Sequence, residues 1–385
     1  MITSKSKAQK DEEGRTAVER LYLERIRKLE QKLSVLESAE KPADLYERIM
    51  EIESEADPEC KLEDGSQFEL FSIKSLMNLQ RAKYSHDHLR DKLRKITASC
   101  RYRRLVRVKE EQIAAVDRLG EKYKNFSNFL HDMVVPQLHV QSQTGQPLRL
   151  PNFCLVGEPG IGKTAFLTAL MSALNIGGRI FDASTVQNSA VLNGLTRTYG
   201  NADVGLIFSS MLFGRTDDGL AMPANTMFCI DEVEKMGYER QLGAALDLLL
   251  ALLERQTARR FVDACVTELP LNLEHLNWCF TANSTYEMSA PLRSRIIEVE
   301  VPTPTEEQAL GIAASIFEEE IARLRGKVKL LPDLDYSQLE QLVRISPRQQ
   351  KQILQMAIAK AVHQGATEIS IPNLEKKSTV RMGFV

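Results

Sequence analysis

Short apolar runs separated by longer helical patterns fill the middle of the chain. Five of these runs are predicted to be buried strands, at residues 153–156, 179–181, 227–230, 278–280 and 296–301. Strands that alternate with helices in this way are typical of a mainly parallel sheet, because parallel strands need long crossover connections. The pattern therefore predicts an α/β core over about residues 119–302.

A different pattern occupies residues 15–130, which are charged, poor in glycine and periodic like a helix. Near its start, apolar side chains recur at alternating steps of four and three, as in a coiled-coil seam or a helical hairpin. These are Tyr22, Ile26, Leu29, Leu33 and Leu36. The seam is short, so dimerisation and packing within one chain both stay open. A polar break at 57–66 separates it from a second helical stretch predicted to begin near Phe68.

Beyond residue 302 the pattern is mostly helical. A Pro-Thr-Pro-Thr segment precedes a predicted helix at 306–325, and further helices are predicted near 336–342 and 348–363. We therefore expect three regions, namely a helical or coiled-coil N-terminal region at 1–118, the α/β core at 119–302, and a helical region with the C-terminal tail at 303–385.

Composition is that of an ordinary globular protein, with 43% hydrophobic and 26% charged residues in a chain of 385. The formal net charge of -2 excludes a globally basic nucleic-acid binder but leaves local patches open. The six cysteines are scattered without a C-x-x-C pair, as expected for reduced thiols. We expect a cytoplasmic protein without a membrane partner, because the N-terminus lacks an apolar signal segment and no aliphatic stretch could span a bilayer.

The clearest chemical motif follows the first strand of the predicted sheet. Residues 157–164 form a complete G-x-x-x-x-G-K-[ST] phosphate-binding loop, and a helical pattern follows. Glycines let backbone N–H groups approach phosphate oxygens, and the N-terminus of a helix favours an anion. Lys163 suits the β- and γ-phosphates, and the Thr164 hydroxyl suits Mg²⁺. The predicted nucleoside-triphosphate site comprises Gly157, Glu158, Pro159, Gly160, Ile161, Gly162, Lys163 and Thr164.

Polar residues at the ends of two later strands suit hydrolysis. Asp231 and Glu232 end an apolar strand, where Asp231 would hold Mg²⁺ and Glu232 would orient or polarise the attacking water. Asn283 ends the next strand and could bond the γ-phosphate or position that water, although asparagine after a strand is also a common turn residue. Together these residues predict the second half of an NTPase site.

Three arginines are candidates for sensing or stabilising the phosphates. Arg293 and Arg295 precede the last strand, and either one could reach the γ-phosphate of a neighbouring subunit as an arginine finger. Arg348 begins a predicted helix, where it could contact the phosphates of its own subunit or simply lie on the surface.

In this order the motifs resemble those of the AAA+ ATPases, and over about residues 150–377 they resemble the ATPase module of the Lon proteases. The similar segments are 154–164, 230–235, 281–283, 291–295 and 369–374. The resemblance implies a P-loop NTPase core with a C-terminal helical lid, ATP and Mg²⁺ as cofactors, and a homo-oligomeric ring, expected to be a hexamer. It also implies that Arg295 rather than Arg293 is the finger.

The same resemblance implies a contact with polypeptide. In Lon-like ATPases a tyrosine in a loop of the central pore grips the substrate, and Tyr199 holds the corresponding place. That family has a branched aliphatic residue and a glycine next, whereas this chain has Gly200 and Asn201, so one apolar contact is missing; Tyr199 packing a loop is the alternative. The sequence ends at Val385, with no room for a Ser-Lys peptidase domain, so we expect no intrinsic proteolysis and leave open a separate effector.

These features favour an ATPase that remodels or unfolds protein substrates, as a chaperone does. A basic run between Arg90 and Lys109, with nine basic residues against the single acid Asp91, and the altered positions after Tyr199 motivate an alternative. In it the chain is an ATP-controlled DNA-binding adaptor or loader of a mobile-element or defence system. The same run is also compatible with a solvated helix face or with an acidic partner. In a third interpretation the chain is a nucleotide-switched scaffold and Glu232 is idle.

Overall fold

The structure of the chain, a computed structural model, describes residues 67–96, 100–186, 189–236, 243–328, 331–334 and 336–371. The apolar seam from Tyr22 to Leu36 and the C-terminal tail lie outside the described residues.

A five-stranded parallel sheet forms the centre of the α/β core. Its strands are β3 (Phe153–Val156), β4 (Gly178–Asp182), β5 (Met227–Asp231), β6 (Asn277–Ala282) and β7 (Ile297–Glu300). The strand order is β4-β5-β6-β3-β7, and every neighbouring pair is parallel. This confirms the predicted fold class. Because the strands are parallel, the polar residues that follow β3, β5 and β6 meet at one edge of the sheet.

Helices connect these strands and extend the fold at both ends. Before the sheet lie α1 (Ile73–Arg81), α2 (Asp87–Leu93), α3 (Glu110–Lys122), α4 (Ser127–Phe129) and α5 (Val135–Thr144), with single turns at Lys124–Phe126 and Leu130–Val134. Within the sheet region lie α6 (Lys163–Ala173), α7 (Ser189–Asn193), α8 (Leu206–Phe213), α9 (Gly243–Leu253), α10 (Arg255–Ala258) and α11 (Ala290–Arg293), with a turn at Val233–Met236. After it come α12 (Glu306–Leu324), α13 (Tyr336–Leu339) with the turn Glu340–Leu342, and α14 (Pro347–Gln364). In the described residues no helix is both long and apolar enough to cross a membrane.

Two apolar clusters cover the two faces of the sheet. Alternate strand residues point to opposite faces, so Phe228 and Trp278 enter one cluster while Phe153 and Leu155 enter the other. The first cluster also contains residues between positions 70 and 96, including Leu89, which is completely buried. The N-terminal part of the described chain is therefore packed onto the α/β core, and the predicted boundary at residue 118 stays a prediction.

The start of this N-terminal part differs from the sequence expectation. Phe68 lies in strand β1 (Gln67–Glu69), which pairs antiparallel with β2 (Tyr102–Arg104), and not at the start of a helix. The helix begins only at Ile73, where the Ser72 hydroxyl accepts a hydrogen bond from the Ser75 amide at 3.1 Å. A strand of three residues depends on a distant partner, Arg103 opposite Phe68, and local periodicity carries no information on that pairing.

The C-terminal region packs mainly two long helices around its own apolar cluster. Helices α12 and α14 begin with capping boxes, in which Thr305 and Ser346 bond the amides of Gln308 and Gln349. Between the helices lie Ala313, Phe317, Leu354, Ala357 and Ile358, which are all buried. Both helices lie close to the positions that the periodicity predicts, because caps and apolar spacing are local signals.

Three cysteines occupy buried positions in the sheet. Cys154, Cys229 and Cys279 are free thiols with no exposed surface. Cys229 and Cys279 are register partners on β5 and β6. Burial raises the pKa of Cys154 well above its usual range, so the thiol stays protonated.

Candidate nucleotide-binding site

The predicted phosphate-binding loop connects β3 to helix α6. Glu158 and Pro159 are exposed at its tip, Gly157, Gly160 and Gly162 are half-buried, and Ile161 is buried in the apolar cluster. The loop thus has an exposed tip and an anchored base, and its N–H groups lie at the start of an eleven-residue helix. This arrangement suits an anion, because the first N–H groups of a helix have no partner within the helix.

Lys163 lies at the centre of the site and is only 7% exposed. Its Nζ donates to the carbonyl oxygens of Gly157 and Glu158 at 2.6 and 3.0 Å, and to Asn283 Oδ1 at 3.1 Å. Burial lowers the pKa of Lys163, while the nearby Glu234 and Asp231 carboxylates favour its charge. The structure therefore brings Lys163 of the loop into direct contact with Asn283, the residue that follows β6.

Thr164 and Asp231 also meet, as their predicted shared role requires. The Thr164 hydroxyl lies 3.1 Å from both carboxylate oxygens of Asp231. Oxygen donors of this kind fit Mg²⁺, which keeps several waters and takes few ligands from the protein. In the described residues no three His, Cys, Asp or Glu side chains gather into a metal-binding group. Thr164 and Asp231 are the residues here that could hold a Mg²⁺ ion together with phosphate oxygens of a nucleotide.

Glu232 has an unusual backbone conformation directly after β5. Its φ of 57° lies in the left-handed region, which costs a non-glycine residue about 1–3 kcal/mol. The conformation is held by a bond from the Glu232 amide to the Thr281 hydroxyl at 3.0 Å and by the Lys235 amide, which donates to the Glu232 carbonyl oxygen at 3.0 Å. The Glu232 carboxylate forms an ion pair with Lys235.

Two polar residues of the site were not singled out from the sequence. Thr281 is fully buried, and its hydroxyl contacts both the Asp231 carboxylate and the Glu232 amide. Glu234 is 6% exposed and accepts a hydrogen bond from the Asn283 amide at 3.0 Å. The strand register in the structure explains the contact of Thr281, because Ile230 lies opposite Phe280 and the next residues, Asp231 and Thr281, are therefore level.

Comparison with known proteins identifies this part of the chain. Residues 153–303 match the family model described as ATPase family associated with various cellular activities (AAA). They form an AAA ATPase domain, the catalytic domain of ATP-hydrolysing enzymes, which contains the phosphate-binding loop, Asp231, Glu232 and Asn283. In the described chain this domain coincides with the sheet and the helices that connect its strands.

Curated relatives with similar sequences are Lon proteases. The protein from Desulforamulus reducens is 29% identical over 229 residues, which cover 59% of this chain and 25% of that protein. The one from Halothermothrix orenii is 33% identical over 166 residues, 42% of this chain and 20% of that protein. The chain therefore matches a quarter or less of these relatives' lengths. A solved RuvB mutant from Thermotoga maritima aligns with 65% of this chain and 66% of that chain, at 16% identity and a TM-score of 0.41.

The two arginines near the last strand of the AAA domain have different surroundings. Arg293 binds Glu298 through two nitrogen–oxygen contacts of 2.6 and 3.2 Å on the domain surface. Arg295 has a side chain that is 34% exposed, with Nε 3.0 Å from Glu254 Oε1. Its Nη1 donates to the Pro291 carbonyl oxygen at 3.0 Å. Arg295 thus lies at the surface of its own AAA domain, distant in sequence from the phosphate-binding loop.

The helical region touches the phosphate-binding loop of the AAA domain through the start of α14. Gly160 has a φ of 86°, and a Cβ built on it would lie 3.2 Å from both Cβ and Oγ of Ser346. The same Cβ would lie 3.7 Å from Arg348 Cβ. Glycine therefore permits both the backbone conformation and the close approach. The structure brings Arg348, an exposed residue, next to the loop that is predicted to hold the phosphates.

Tyr199 lies in an exposed loop of the AAA domain. Its side chain is 58% exposed, which argues against the alternative that Tyr199 packs the loop. Turns within the loop are closed by the Tyr199 amide, which donates to the Thr196 carbonyl oxygen, and by the Ala202 amide, which donates to Tyr199, both at 3.2 Å.

The basic run is largely engaged in contacts within the chain. Arg103 is 4% exposed and donates to the Met211 carbonyl oxygen at 3.3 Å. Lys92 contacts Asp203 at 2.8 Å, and Arg101 contacts Glu69 at 2.9 Å. The run is also divided between α2 and β2, so it is not one helix face. Arg103 in particular is not accessible to a phosphate backbone.

Proposed function

We propose that this chain is a Mg²⁺-dependent ATPase that assembles into a ring and couples ATP hydrolysis to the remodelling or unfolding of protein substrates. The observation that carries the proposal is the convergence of Lys163, Thr164, Asp231 and Asn283 at the carboxyl edge of the sheet, with contacts of 3.1 Å between loop and strand ends. These groups have the chemistry that phosphoryl transfer needs, namely a cation, oxygen ligands and a polar sensor.

The residues of the chain divide the work as follows. Lys163 would exchange its bonds to the Gly157 and Glu158 carbonyl oxygens for phosphate oxygens, since an ammonium group can reorient its three donors. Thr164 and Asp231 would hold Mg²⁺, which when bound neutralises charge on the β- and γ-phosphates. Glu232 would orient the attacking water and accept its proton, a role that requires its carboxylate to leave Lys235.

Asn283 and Arg348 would report the state of the nucleotide. The Asn283 side chain accepts a hydrogen bond from Lys163, and its backbone N–H donates one to Glu234. A change at the γ-phosphate would therefore reach the end of β6 directly. Arg348 lies in the first turn of helix α14, next to Gly160. Its contact with a phosphate would therefore move the helical lid against the core.

Ring assembly follows from the chemistry that Arg295 would perform. An arginine finger stabilises charge on the transferring phosphate, and Arg295 is exposed enough to reach a pocket on another subunit. We therefore place Arg295 at the interface between subunits of a ring, with a hexamer as the expected size. Arg293 is the reserve, but its bidentate pair with Glu298 restrains it on its own subunit.

Measuring ATP turnover at decreasing protein concentration tests whether the active site is shared between neighbouring subunits. If the finger acts on a neighbouring subunit, ATP turnover per subunit should rise with protein concentration and reach a plateau when the ring is complete. Fast turnover that does not change on dilution would contradict the proposal. Size-exclusion chromatography with ATP, run at the same concentrations, should show the oligomer appearing together with the activity.

Polypeptide is the substrate that we propose for the loop that carries Tyr199, because an exposed tyrosine on a loop offers both apolar surface and a polar tip to an extended chain. The test compares stimulation of ATP hydrolysis by unfolded α-casein and by double-stranded DNA at two salt concentrations. Stimulation by casein that is lost in Tyr199→Ala would support remodelling. Intact casein on gels would support the further expectation that the chain does not cleave its substrates.

The DNA-binding adaptor would be favoured if only DNA stimulated hydrolysis, with an effect that falls steeply as salt rises. A variant that tests this alternative should change Arg104, which is exposed, and leave Arg103 unchanged. Arg103 is buried against a carbonyl oxygen, so its loss would destabilise the fold and give no information on DNA.

A further inference from the structure

The loop that carries Tyr199 has a closed base. We define the Tyr199 loop as residues 195–203, which are joined at their ends by the Leu195 amide donating to the Asp203 carbonyl oxygen at 2.9 Å. Ala202 near one end is completely buried, whereas Tyr199 is 58% exposed. The two ends of the loop are therefore fixed, while Tyr199 in its middle is exposed. The contacts that hold the two ends determine where Tyr199 lies.

The core holds the base from one side through Asp263. This carboxylate is completely buried and accepts hydrogen bonds from the amides of Gly205 and Cys265, both at 2.8 Å. Gly194 lies so close that a Cβ on it would be 2.4 Å from Asp263 Oδ1. Burial raises the pKa of Asp263 to about 6, while the backbone donors favour the charged form. Asp263 thus fixes the residues on both sides of the loop.

A second set of contacts comes from the N-terminal part of the described chain. Lys92 Nζ lies 2.8 and 3.0 Å from the two Asp203 carboxylate oxygens. His88 Nε2 lies 3.0 Å from the Ala202 carbonyl oxygen, which can only accept, so Nε2 is the donor. Both contacts are made to the last two residues of the Tyr199 loop.

The third contact reaches the other arm of the loop. Arg197 Nη2 donates to Glu268 Oε1 at 2.7 Å, and the Tyr84 hydroxyl donates to Glu268 Oε2 at 3.2 Å. The Arg197 guanidinium also lies over the Tyr84 ring, with Cζ 5.1 Å from the centroid. Tyr84 therefore touches Arg197 directly and also shares a carboxylate with it.

Spacing and packing make these contacts one unit. His88 and Lys92 lie one turn apart on one side of α2, and Tyr84, which precedes the helix, reaches Arg197 of the same loop. On that helix Leu89 and Leu93 are buried in the same apolar cluster as Ala202. We call Tyr84, His88 and Lys92 the brace.

We propose that the brace residues are positioning residues for Tyr199, so that the N-terminal region determines how firmly the Tyr199 loop grips polypeptide. The inference rests on the proposed function for the meaning of the grip, but the placement of the loop is a separate claim. It assigns part of the N-terminal region a task that the sequence analysis left open. It also explains why Lys92 of the basic run faces an acid of the same chain.

Each contact is partly exposed and weak alone, whereas the two contacts from α2 and the contact of Tyr84 just before it act together on the loop. Lys92 and Asp203 have side chains that are 29% and 48% exposed, so solvent weakens this single pair. A displacement of residues 84–93 would loosen both arms of the loop, because α2 contacts Ala202 and Asp203 on one arm and Tyr84 contacts Arg197 on the other.

The test uses the full chain with Tyr84→Leu, His88→Ala and Lys92→Ala combined. We expect amide hydrogen exchange in residues 195–203 to become about tenfold faster than in the unchanged chain, while exchange in helix α6 stays the same. The matched control is Arg90→Ala with Arg94→Ala, which removes two cations of the same helix region that pair only with Asp87 and Asp91 among the described contacts. The control should leave the loop unchanged.

Kinetics then separates positioning from a general loss of structure. In the brace variant, the casein concentration that gives half-maximal stimulation should rise about fivefold or more, while ATP turnover without casein stays within about twofold. The conservative set Tyr84→Phe, His88→Gln and Lys92→Arg keeps a ring, a donor and a cation, and should restore values close to those of the unchanged chain. A merely structural role would lower basal turnover in proportion and would not change the half-maximal concentration.

The outcomes distinguish the two proposals. Unchanged exchange in residues 195–203 in the brace variant would overturn the positioning claim. Faster exchange with a raised half-maximal casein concentration would support it. Faster exchange in a protein that casein never stimulates, even in the unchanged chain, would support the positioning of the loop and contradict the polypeptide substrate of the proposed function.

Discussion

The nucleotide-binding edge of the sheet and the Arg295 surface are built in opposite ways. Lys163 is 7% exposed and has three oxygen partners from two segments. Arg295 has a side chain that is 34% exposed, and its carboxylate partner among the described contacts is Glu254. The chain thus completes within itself the half of the site that would bind phosphates. The half proposed to act on a neighbouring subunit lies partly exposed on the domain surface.

The largest test of this contrast is Arg295→Ala. If Arg295 stabilises the transferring phosphate on another subunit, turnover should fall by about 10³-fold or more, because removal of an arginine finger costs that much in related chemistry. Arg293→Ala is the matched control and should lose less than about threefold, since the partner of Arg293 among the described contacts is Glu298 of the same chain. Steady-state ATP hydrolysis at saturating protein measures both.

A mixture of two inactive variants tests whether the active site is shared between subunits. Arg295→Ala subunits retain Glu232, and Glu232→Gln subunits retain Arg295, so mixed rings should regain part of the activity that each variant lacks alone. A mixture as inactive as its components would show that the two residues do not build one pocket across subunits.

Glu232→Gln tests the side of the site that lies within the chain. Loss of the proposed base should reduce turnover by about 10²- to 10⁴-fold, because the amide cannot accept a proton from water. Nucleotide binding should survive, so ATP should remain bound and the oligomer should persist on a sizing column. Unchanged turnover would instead support the nucleotide-switched scaffold.

Thr281→Val should have a smaller effect of the same kind. The valine keeps the shape but removes the hydroxyl that contacts Asp231 and the Glu232 amide. We expect activity to fall about 10- to 100-fold, as for other residues that orient metal ligands, with a higher Mg²⁺ requirement. Thr281→Ser, which retains the hydroxyl, should lose far less. Equal Mg²⁺ titration curves for valine and serine would contradict the role.

The smallest effect is expected for Glu254→Gln. This change removes the carboxylate partner of Arg295 and should free the guanidinium for a neighbouring subunit. Because exposed ion pairs contribute about 0–1 kcal/mol, turnover at subsaturating protein should rise by up to about fivefold. Slower turnover at every concentration would mean that Glu254 holds Arg295 in its working position.

The fold could be predicted from the sequence where the signals are local. The five strands of the sheet and the long C-terminal helices follow from apolar runs, periodicity and caps. Strand β1 was missed because its stability comes from pairing with β2, more than thirty residues away. The packing of residues 70–96 on the sheet was missed for the same reason, since no local pattern names a distant partner.

The candidate site divides in a similar way. The glycine-rich loop and the acidic pair form motifs whose residue types report their chemistry, and the structure brings Lys163, Thr164, Asp231 and Asn283 together. Thr281 belongs to no such motif, because a threonine inside an apolar strand is usually interpreted as a structural residue of that strand. Its contact with Asp231 depends on strand register, which a single sequence does not contain.

The reactivity of the three buried thiols in the sheet can be used to measure how often the core unfolds. Cys154, Cys229 and Cys279 are inaccessible and free, and burial keeps Cys154 protonated. An alkylating reagent can therefore modify them only in molecules whose central sheet has come apart. The rate at which these three cysteines are labelled, measured with and without ATP, would show how much bound nucleotide slows unfolding of the domain. The measurement needs no introduced dye or substitution.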